Sequence, residues 1–287
     1  MSDSGGQRNH DRRRRVRLDS LLADRGLFPS RSRAAVAVMA GEVRVGVGER
    51  RAAKPSELID PAELISVSPG RVYVSRGGIK LANALDACDL DVTGRRALDV
   101  GSSTGGFTDC LLQRGAASVA AVDVGYGLLD YTLRNDSRVG VLERTNARAL
   151  TPEMLSDAAA GGDDGPLPDL ATVDVSFISL TMVLPSVLGC MADYYDVLAM
   201  VKPQFEVGRG RVGKGGVVRD PDDRRDALVS VGRTALGLGV SVLGYHSSGL
   251  PGPKGNRETF IYLAEAGRTG AAGDADELGE LARRVEP

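Results

Sequence analysis

Four charged residues that lie far apart in the chain have the side chains needed to move a proton: Lys80, Asp174, Lys202 and Glu258. Asp174 comes late in the apolar run Thr172-Val173-Asp174-Val175-Ser176-Phe177. Lys202 follows Met200-Val201, and Glu258 opens the run Thr259–Leu263. Open parallel sheets bind ligands beyond the carboxyl ends of their strands. A reversed strand starts where its neighbours end, so these three residues meet at one edge if the last strand runs antiparallel. Lys80, in Arg76-Gly77-Gly78-Ile79-Lys80, begins a helix and reaches the same edge from the side. Two ammonium groups and two carboxylates packed together need mutual compensation and cost desolvation. A lysine crowded by another lysine and by burial can lose its proton near neutral pH. It then serves as a general base toward a weakly acidic hydroxyl, with the carboxylates orienting the lysines.

A second cluster lies upstream. Leu98-Asp99-Val100 runs into Gly101-Ser102-Ser103-Thr104-Gly105-Gly106-Phe107-Thr108, with a helical stretch behind it. Glycines after a first strand let the backbone approach a ligand and offer it amide donors. Ser103 occupies the second glycine position of the dinucleotide pattern G-x-G-x-x-G, which weakens a pyrophosphate reading. Asp123 ends the next strand, where a carboxylate can bond a ribose diol. With Asp99 just ahead of the loop and small residues after it, the cluster suits S-adenosylmethionine better than NAD, and Asp174 is placed to face the sulfonium. Asn146, after the third strand, is a candidate for the adenine; an ordinary loop asparagine is the open alternative. Gly208 to Lys214 formally fits G-x-x-x-x-G-K, but Gly215 stands where Ser or Thr should hold magnesium. Val207–Arg219 reads instead as a flexible basic loop, with Arg209, Arg211 and Lys214 available to substrate phosphates or merely solvated.

These groups need a frame. Short apolar runs alternate with helical stretches: Ala97–Val100, Ser118–Asp123, Gly140–Leu142, Leu170–Val175, Val197–Val201 and Val240–Gly244. That alternation predicts an α/β domain with a Rossmann-like, mostly parallel sheet covered on both faces. The connection Gly249–Gly255 is too short for a parallel crossover, so Thr259–Leu263 is expected antiparallel. Ahead of this domain, Leu18, Leu21 and Leu22 sit at helical spacing. Ser30 caps a second short helix that Gly41 ends, and β-like pieces follow at Val43–Val47 and Leu64–Val67. This is a small α+β unit with little core. Residues 8–54 carry 13 Lys and Arg against 5 Asp and Glu, although the whole chain has a net charge of −2. A basic segment joined to an acidic domain suits a polyanion. Arg17, Arg31, Arg33 and Arg44 are the candidates to meet phosphates.

The boundaries expected are a disordered basic tail at 1–15, the small unit at 16–70, a linker at 71–74, the large domain at 75–266 and a loose tail at 267–287. Cys88, Cys110 and Cys190 are too few and too dispersed for disulfides or zinc, and they read as buried thiols in a reducing cytoplasm. No metal site is expected. No apolar run approaches the roughly 20 residues of a membrane span.

The motifs Arg17-Leu18-Asp19, Ser30-Arg31-Ser32-Arg33-Ala34, Ser75–Lys80, Gly101–Thr108, Asp174-Val175-Ser176-Phe177, Val201–Glu206 and Gly255-Asn256-Arg257-Glu258 resemble those of the TlyA (hemolysin A) family. The resemblance covers about residues 16–265. It implies an S4-like RNA-binding domain joined to an FtsJ-like methyltransferase domain. It also implies a Lys-Asp-Lys-Glu tetrad at Lys80, Asp174, Lys202 and Glu258, acting in cytidine 2′-O-methylation of ribosomal RNA or ribosomal subunits. The linker's third position, often Trp in relatives, is Tyr73. Two other readings stay open. One is a membrane-active hemolysin, which the older family name suggests but no amphipathic or spanning segment supports. The other is a non-catalytic ribosome assembly factor that only binds RNA.

Overall fold

The protein was analysed as a computed structural model that describes residues 15–67, 72–158 and 166–286. It divides into two compact units between Val72 and Tyr73. Apart from Arg15, the tail expected at 1–15 lies outside the described residues.

The smaller unit opens with β1 (Val16–Arg17) and α1 (Leu18–Asp24). These are followed by α2 (Arg31–Ala40), β2 (Val43–Val45), β3 (Arg50–Arg51), β4 (Leu58–Ile59) and β5 (Ile65–Val67). Ser30 caps α2 by accepting from the Arg33 amide, and Gly41 ends it in the left-handed region. β2 pairs antiparallel with β3 and β5, and β1 with β4. Leu18 and Leu22 of α1 pack with Ala34 and Val38 of α2, which leaves Arg31 and Arg33 on the outer face.

The larger unit runs α3 (Gly77–Cys88), β6 (Arg96–Val100), α4 (Gly106–Gln113), β7 (Ser118–Val122), α5 (Tyr131–Arg134), β8 (Val139–Leu142), α6 (Pro152–Ala158) and β9 (Leu170–Val173). It continues through α7 (Leu184–Leu188), β10 (Asp196–Val201), α8 (Pro203–Glu206), α9 (Pro221–Gly237), β11 (Ser241–Ser247), β12 (Thr259–Ala264) and α10 (Ala275–Val285). The strands form a seven-stranded sheet in the order β11-β12-β10-β9-β6-β7-β8. β12 is antiparallel to both its neighbours, and the pairs from β10 to β8 are parallel. Side chains alternate between two cores, as period-two strands require. Val197, Ala199 and Val201 of β10 join one cluster, while Leu198 and Met200 join the other.

Two boundaries differ from the sequence expectation. The loose tail at 267–287 holds α10, which buries Leu278 and Ala282 completely; Asp274 caps it by accepting from the amides of Asp276 and Glu277. Tyr73 and Val74 are not free linker. Both pack against the core of the larger unit, and the Val74 amide donates to Asp109 Oδ2 at 2.8 Å. Cys110 and Cys190 are buried, which pushes both thiols up to about 11; Cys88 is half-buried. No helix among the described residues is long and apolar enough to cross a membrane.

Candidate active site

The sheet topology places three of the candidate side chains. Asp174 is the first residue past β9, Lys202 the first past β10, and Glu258 the last before the reversed β12. Lys80 projects from the first turn of α3. All four line one cavity of about 510 Å³. They meet as two ion pairs. Lys80 Nζ binds Glu258 Oε2, and Lys202 Nζ stands 2.7 Å from Asp174 Oδ1. Each lysine therefore faces a carboxylate, where the sequence suggested that the lysines crowd each other. Ser176 Oγ also accepts from Lys202 Nζ at 2.8 Å. A side chain at Gly252 would collide with the Glu258 carboxylate, so only glycine leaves room there.

The same cavity extends to the glycine loop, where Gly101, Ser102, Ser103, Thr104, Gly106 and Phe107 form its wall. Gly101 adopts φ +86°, and a Cβ there would stand 2.6 Å from the carbonyl oxygen of Asp174. The loop and the Asp174 segment can approach this closely only because no side chain intervenes. Helix α4 starts at Gly105 without a side-chain cap. First-turn amides without a side-chain cap are ready partners for an anionic or polar ligand group.

Other expected cofactor residues lie off this wall. Asp99 is fully buried behind the loop and accepts from Thr108 Oγ1 at 2.6 Å and Thr172 Oγ1 at 3.3 Å. Burial pushes its carboxyl up to about 7, so Asp99 and Thr108 brace the loop from within. Gly105 is shielded by Leu129 and Leu133. Asp123 accepts from the Ser103 amide at 2.8 Å and the Gly125 amide at 2.7 Å, shaping the loop while keeping lone pairs for a diol. Asn146 is exposed and caps the turn at Ala147–Ala149 by accepting from the Arg148 amide.

Sequence reasoning missed several residues of the wall. Ser176 and Gln204 each stand two positions after a recognised charge, Ser176 in the loop beyond β9 and Gln204 in α8, where no strand or helix period marked them. Gln204 Oε1 is buried with no hydrogen-bond partner among the described residues, and the Asp174 Oδ1 contact with Lys202 is not aligned as a hydrogen bond. Phe177 is 92% exposed, has φ +65°, and lies with its ring 5.4 Å from that of Phe205. Arg76 and Lys254 complete the rim.

The basic candidates differ among themselves. Arg17 and Arg31 both pair with buried Asp19, at 2.7 and 3.2 Å. Arg33 is exposed, and Arg44 donates to the carbonyl of Glu49 at 3.2 Å. Arg211 is held by Asp226 and Asp223 of α9, while Arg209 and Lys214 are exposed. The segment expected to be a flexible loop is pinned. Gly213 bridges Val217, Asn256 Nδ2 donates to the Gly216 carbonyl at 2.7 Å, and Asn256 Oδ1 accepts from the Val218 amide at 2.9 Å.

Residues 73–265 match the FtsJ-like methyltransferase family, and residues 16–65 match the S4 domain. Over 252 residues, 87% of this chain and 90% of the relative, the sequence is 49% identical to the 16S/23S rRNA (cytidine-2′-O)-methyltransferase TlyA of Mycobacterium tuberculosis. The chain belongs to the TlyA family. A second TlyA-like relative, the candidate rRNA methyltransferase YqxC of Bacillus subtilis, is 43% identical over 95% of this chain and 94% of its own. Among solved structures, a hemolysin candidate from Streptococcus thermophilus matches with a TM-score of 0.69 and 37% identity, covering 95% of this chain and 96% of that one. As an FtsJ-like methyltransferase, this TlyA-family protein uses S-adenosylmethionine. The residues present fit that cofactor. The wall is rich in acceptors, with Asp174 Oδ1 and Gln204 Oε1 unsatisfied, and it joins a glycine loop to an uncapped helix start. A cationic ligand with several hydrogen-bond donors satisfies such a wall.

Proposed function

We propose that this protein methylates the 2′-hydroxyl of cytidine in ribosomal RNA or ribosomal subunits, in the cytoplasm, with Lys80, Asp174, Lys202 and Glu258 as its catalytic tetrad. The observation that carries this reading is the sharing of one cavity by two lysine–carboxylate pairs and the glycine loop. S-adenosylmethionine supplies the electrophilic methyl group. Lys202 is the general base that takes the ribose proton, and Asp174 and Ser176 fix the direction of its Nζ. The Lys80–Glu258 pair forms a rigid polar wall that orients the ribose hydroxyls. Phe177 offers an exposed face on which an unstacked base can lie. The Asp123 carboxylate and Asn146 are the candidates for the ribose and adenine of the cofactor. In the S4 unit, Arg17, Arg31, Arg33 and Arg44 meet RNA phosphates.

The test is transfer of labelled methyl from S-adenosylmethionine to ribosomal RNA and to isolated subunits, followed by mapping of 2′-O-methyl marks. Removing a general base typically lowers the rate by about 10²- to 10⁴-fold. Lys202→Ala should therefore lose transfer while still binding the cofactor in calorimetry. Transfer by Lys202→Ala at the wild-type rate removes Lys202 as the base.

A further inference from the structure

The cations of the larger unit fall into two groups. Some have carboxylate partners: Arg211 meets Asp223 and Asp226, Arg224 meets Glu286, and Arg225 meets Asp222. Lys214, Arg219 and Lys254 are exposed, and none has a carboxylate partner among the described residues. These three surround a single turn, Gly213-Lys214-Gly215-Gly216. The turn is closed by the Gly216 amide donating to the Gly213 carbonyl at 3.0 Å. A Cβ placed on Gly213 would stand 3.1 Å from Arg219 Nη1, and one on Gly216 would stand 3.8 Å from Lys254 Nζ. Both side chains therefore lie along the turn, in space left open by glycine, and Lys214 sits within it. Gly216 and Lys254 also line the catalytic cavity.

The acids nearby are already engaged. Asp220 caps α9 by accepting from the Asp222 amide at 2.9 Å, Asp223 and Asp226 hold Arg211, and Glu258 holds Lys80. Three like charges around one turn repel each other unless an anion joins them. The backbone adds to this. Gly215 and Gly216 are consecutive residues with φ +84° and +80°, a glycine stretch with no side chain to keep a bulky anion away. Asn256 is 2% exposed and grips the carbonyl of Gly216 and the amide of Val218 from a position two residues before Glu258. The turn is thus held in register with the catalytic strand.

We propose that Lys214, Arg219 and Lys254 form a subsite for a backbone phosphodiester of the RNA strand, next to the nucleotide that enters the cavity. The proposal rests on the RNA methyltransferase reading and specifies how that substrate is gripped. A phosphate held at this turn fixes the strand relative to Lys202 through a short, rigid path, which loop cations on a mobile segment could not do.

The experiment measures binding of the full-length protein to transcribed ribosomal RNA across a salt series, together with methyl transfer. Each phosphate contact contributes about 0.7 to the slope of log K against log salt for single strands, equivalent to about fourfold in affinity at roughly 0.15 M salt. Lys254→Ala and Arg219→Ala should each lose that much in slope and affinity, and Arg219→Ala, which lies off the cavity wall, should leave S-adenosylmethionine binding unchanged. Lys254→Gln gives a second, milder removal of charge. Lys254→Arg should keep the slope, and so should Arg283→Ala on α10, a matched charge removal elsewhere. Wild-type slopes in Lys254→Ala, Lys254→Gln and Arg219→Ala, in enzymes that still methylate RNA, overturn the subsite alone. A wild-type protein that neither binds nor methylates RNA removes the parent reading, and the subsite with it.

Discussion

Each unit buries an aspartate, and the two carboxyls shift in opposite directions. In the smaller unit Asp19 accepts from the Arg17 guanidinium, from Arg31 and from the Ser20 amide, and these donors hold its carboxyl down at about 2. In the larger unit Asp99 has no cationic donor, only the hydroxyl and amide of Thr108 and the hydroxyl of Thr172, and burial raises it to about 7. For Asp99 burial dominates because no cation answers it, whereas for Asp19 the guanidinium donors outweigh desolvation. Asp19 is an anchor that keeps two guanidinium groups fixed while their outer faces stay in water. Asp99 is a strut, close to neutral, that supports the glycine loop without drawing a cation into it. The site carboxylates differ from both in their partners: buried Glu258 and half-buried Asp174 each face one lysine.

The contrast can be tested in order of expected effect. Lys80→Ala leaves Glu258 buried and unpaired, which should destabilise the larger unit by about 3–5 kcal/mol. It should also lower methyl transfer by about 100-fold or more. Denaturant unfolding and methyl-transfer rates measure the two losses. A variant of wild-type stability would show that the pair is not desolvated. Next is Asp99→Asn. Because the folded carboxyl is raised, the contribution of Asp99 is fully present below the usual carboxylate range and is lost as pH rises toward 7. Relative to Asp99→Asn, wild-type stability should fall by on the order of 4 kcal/mol across that window and then level off. Denaturation at a series of pH values decides it, and a constant difference would mean that Asp99 is ionised throughout.

Asp19 should behave with the opposite sign. Its contribution is complete above the usual carboxylate range and is lost as pH falls toward 2. Arg17→Ala removes its main donor, so the acid unfolding midpoint of the smaller unit should move to higher pH, as followed by NMR of that unit's amides. The smallest effect on folding is expected for Arg33→Ala, which is exposed and pairs with no carboxylate among the described residues. Stability should stay within about 0.5 kcal/mol of wild type. RNA affinity should fall about fourfold at roughly 0.15 M salt. Unchanged RNA affinity would take Arg33 off the proposed RNA-binding surface.

Much of this arrangement was legible from residue order. Apolar runs marked the strands, and the short Gly249–Gly255 connection gave the direction of β12, which in turn placed Glu258 at the edge with Asp174 and Lys202. Pairing was not legible, because linear order does not say which lysine meets which carboxylate. Nor did it show that Asp99 faces inward, since the threonines that hold it lie 9 and 73 positions away. The helix at Ala275–Val285 left a readable trace. Leu278, Leu281, Ala282 and Val285 follow helical spacing behind an Asp274 cap, but the surrounding Gly, Ala and Glu masked it. Tyr73 and Val74 gave no signal, because two residues are too few to show a period.

The reversal of β12 also bears on when the protein becomes competent. This strand lies between β11 and β10, second from one edge of the sheet, so Glu258 reaches Lys80 only once the last hairpin has paired with β10. A nascent chain that has laid down β6 to β10 already presents Asp174, Lys202 and the glycine loop, yet its Lys80 has no counter-ion. Under the tetrad proposed above, completing the sheet also completes the site.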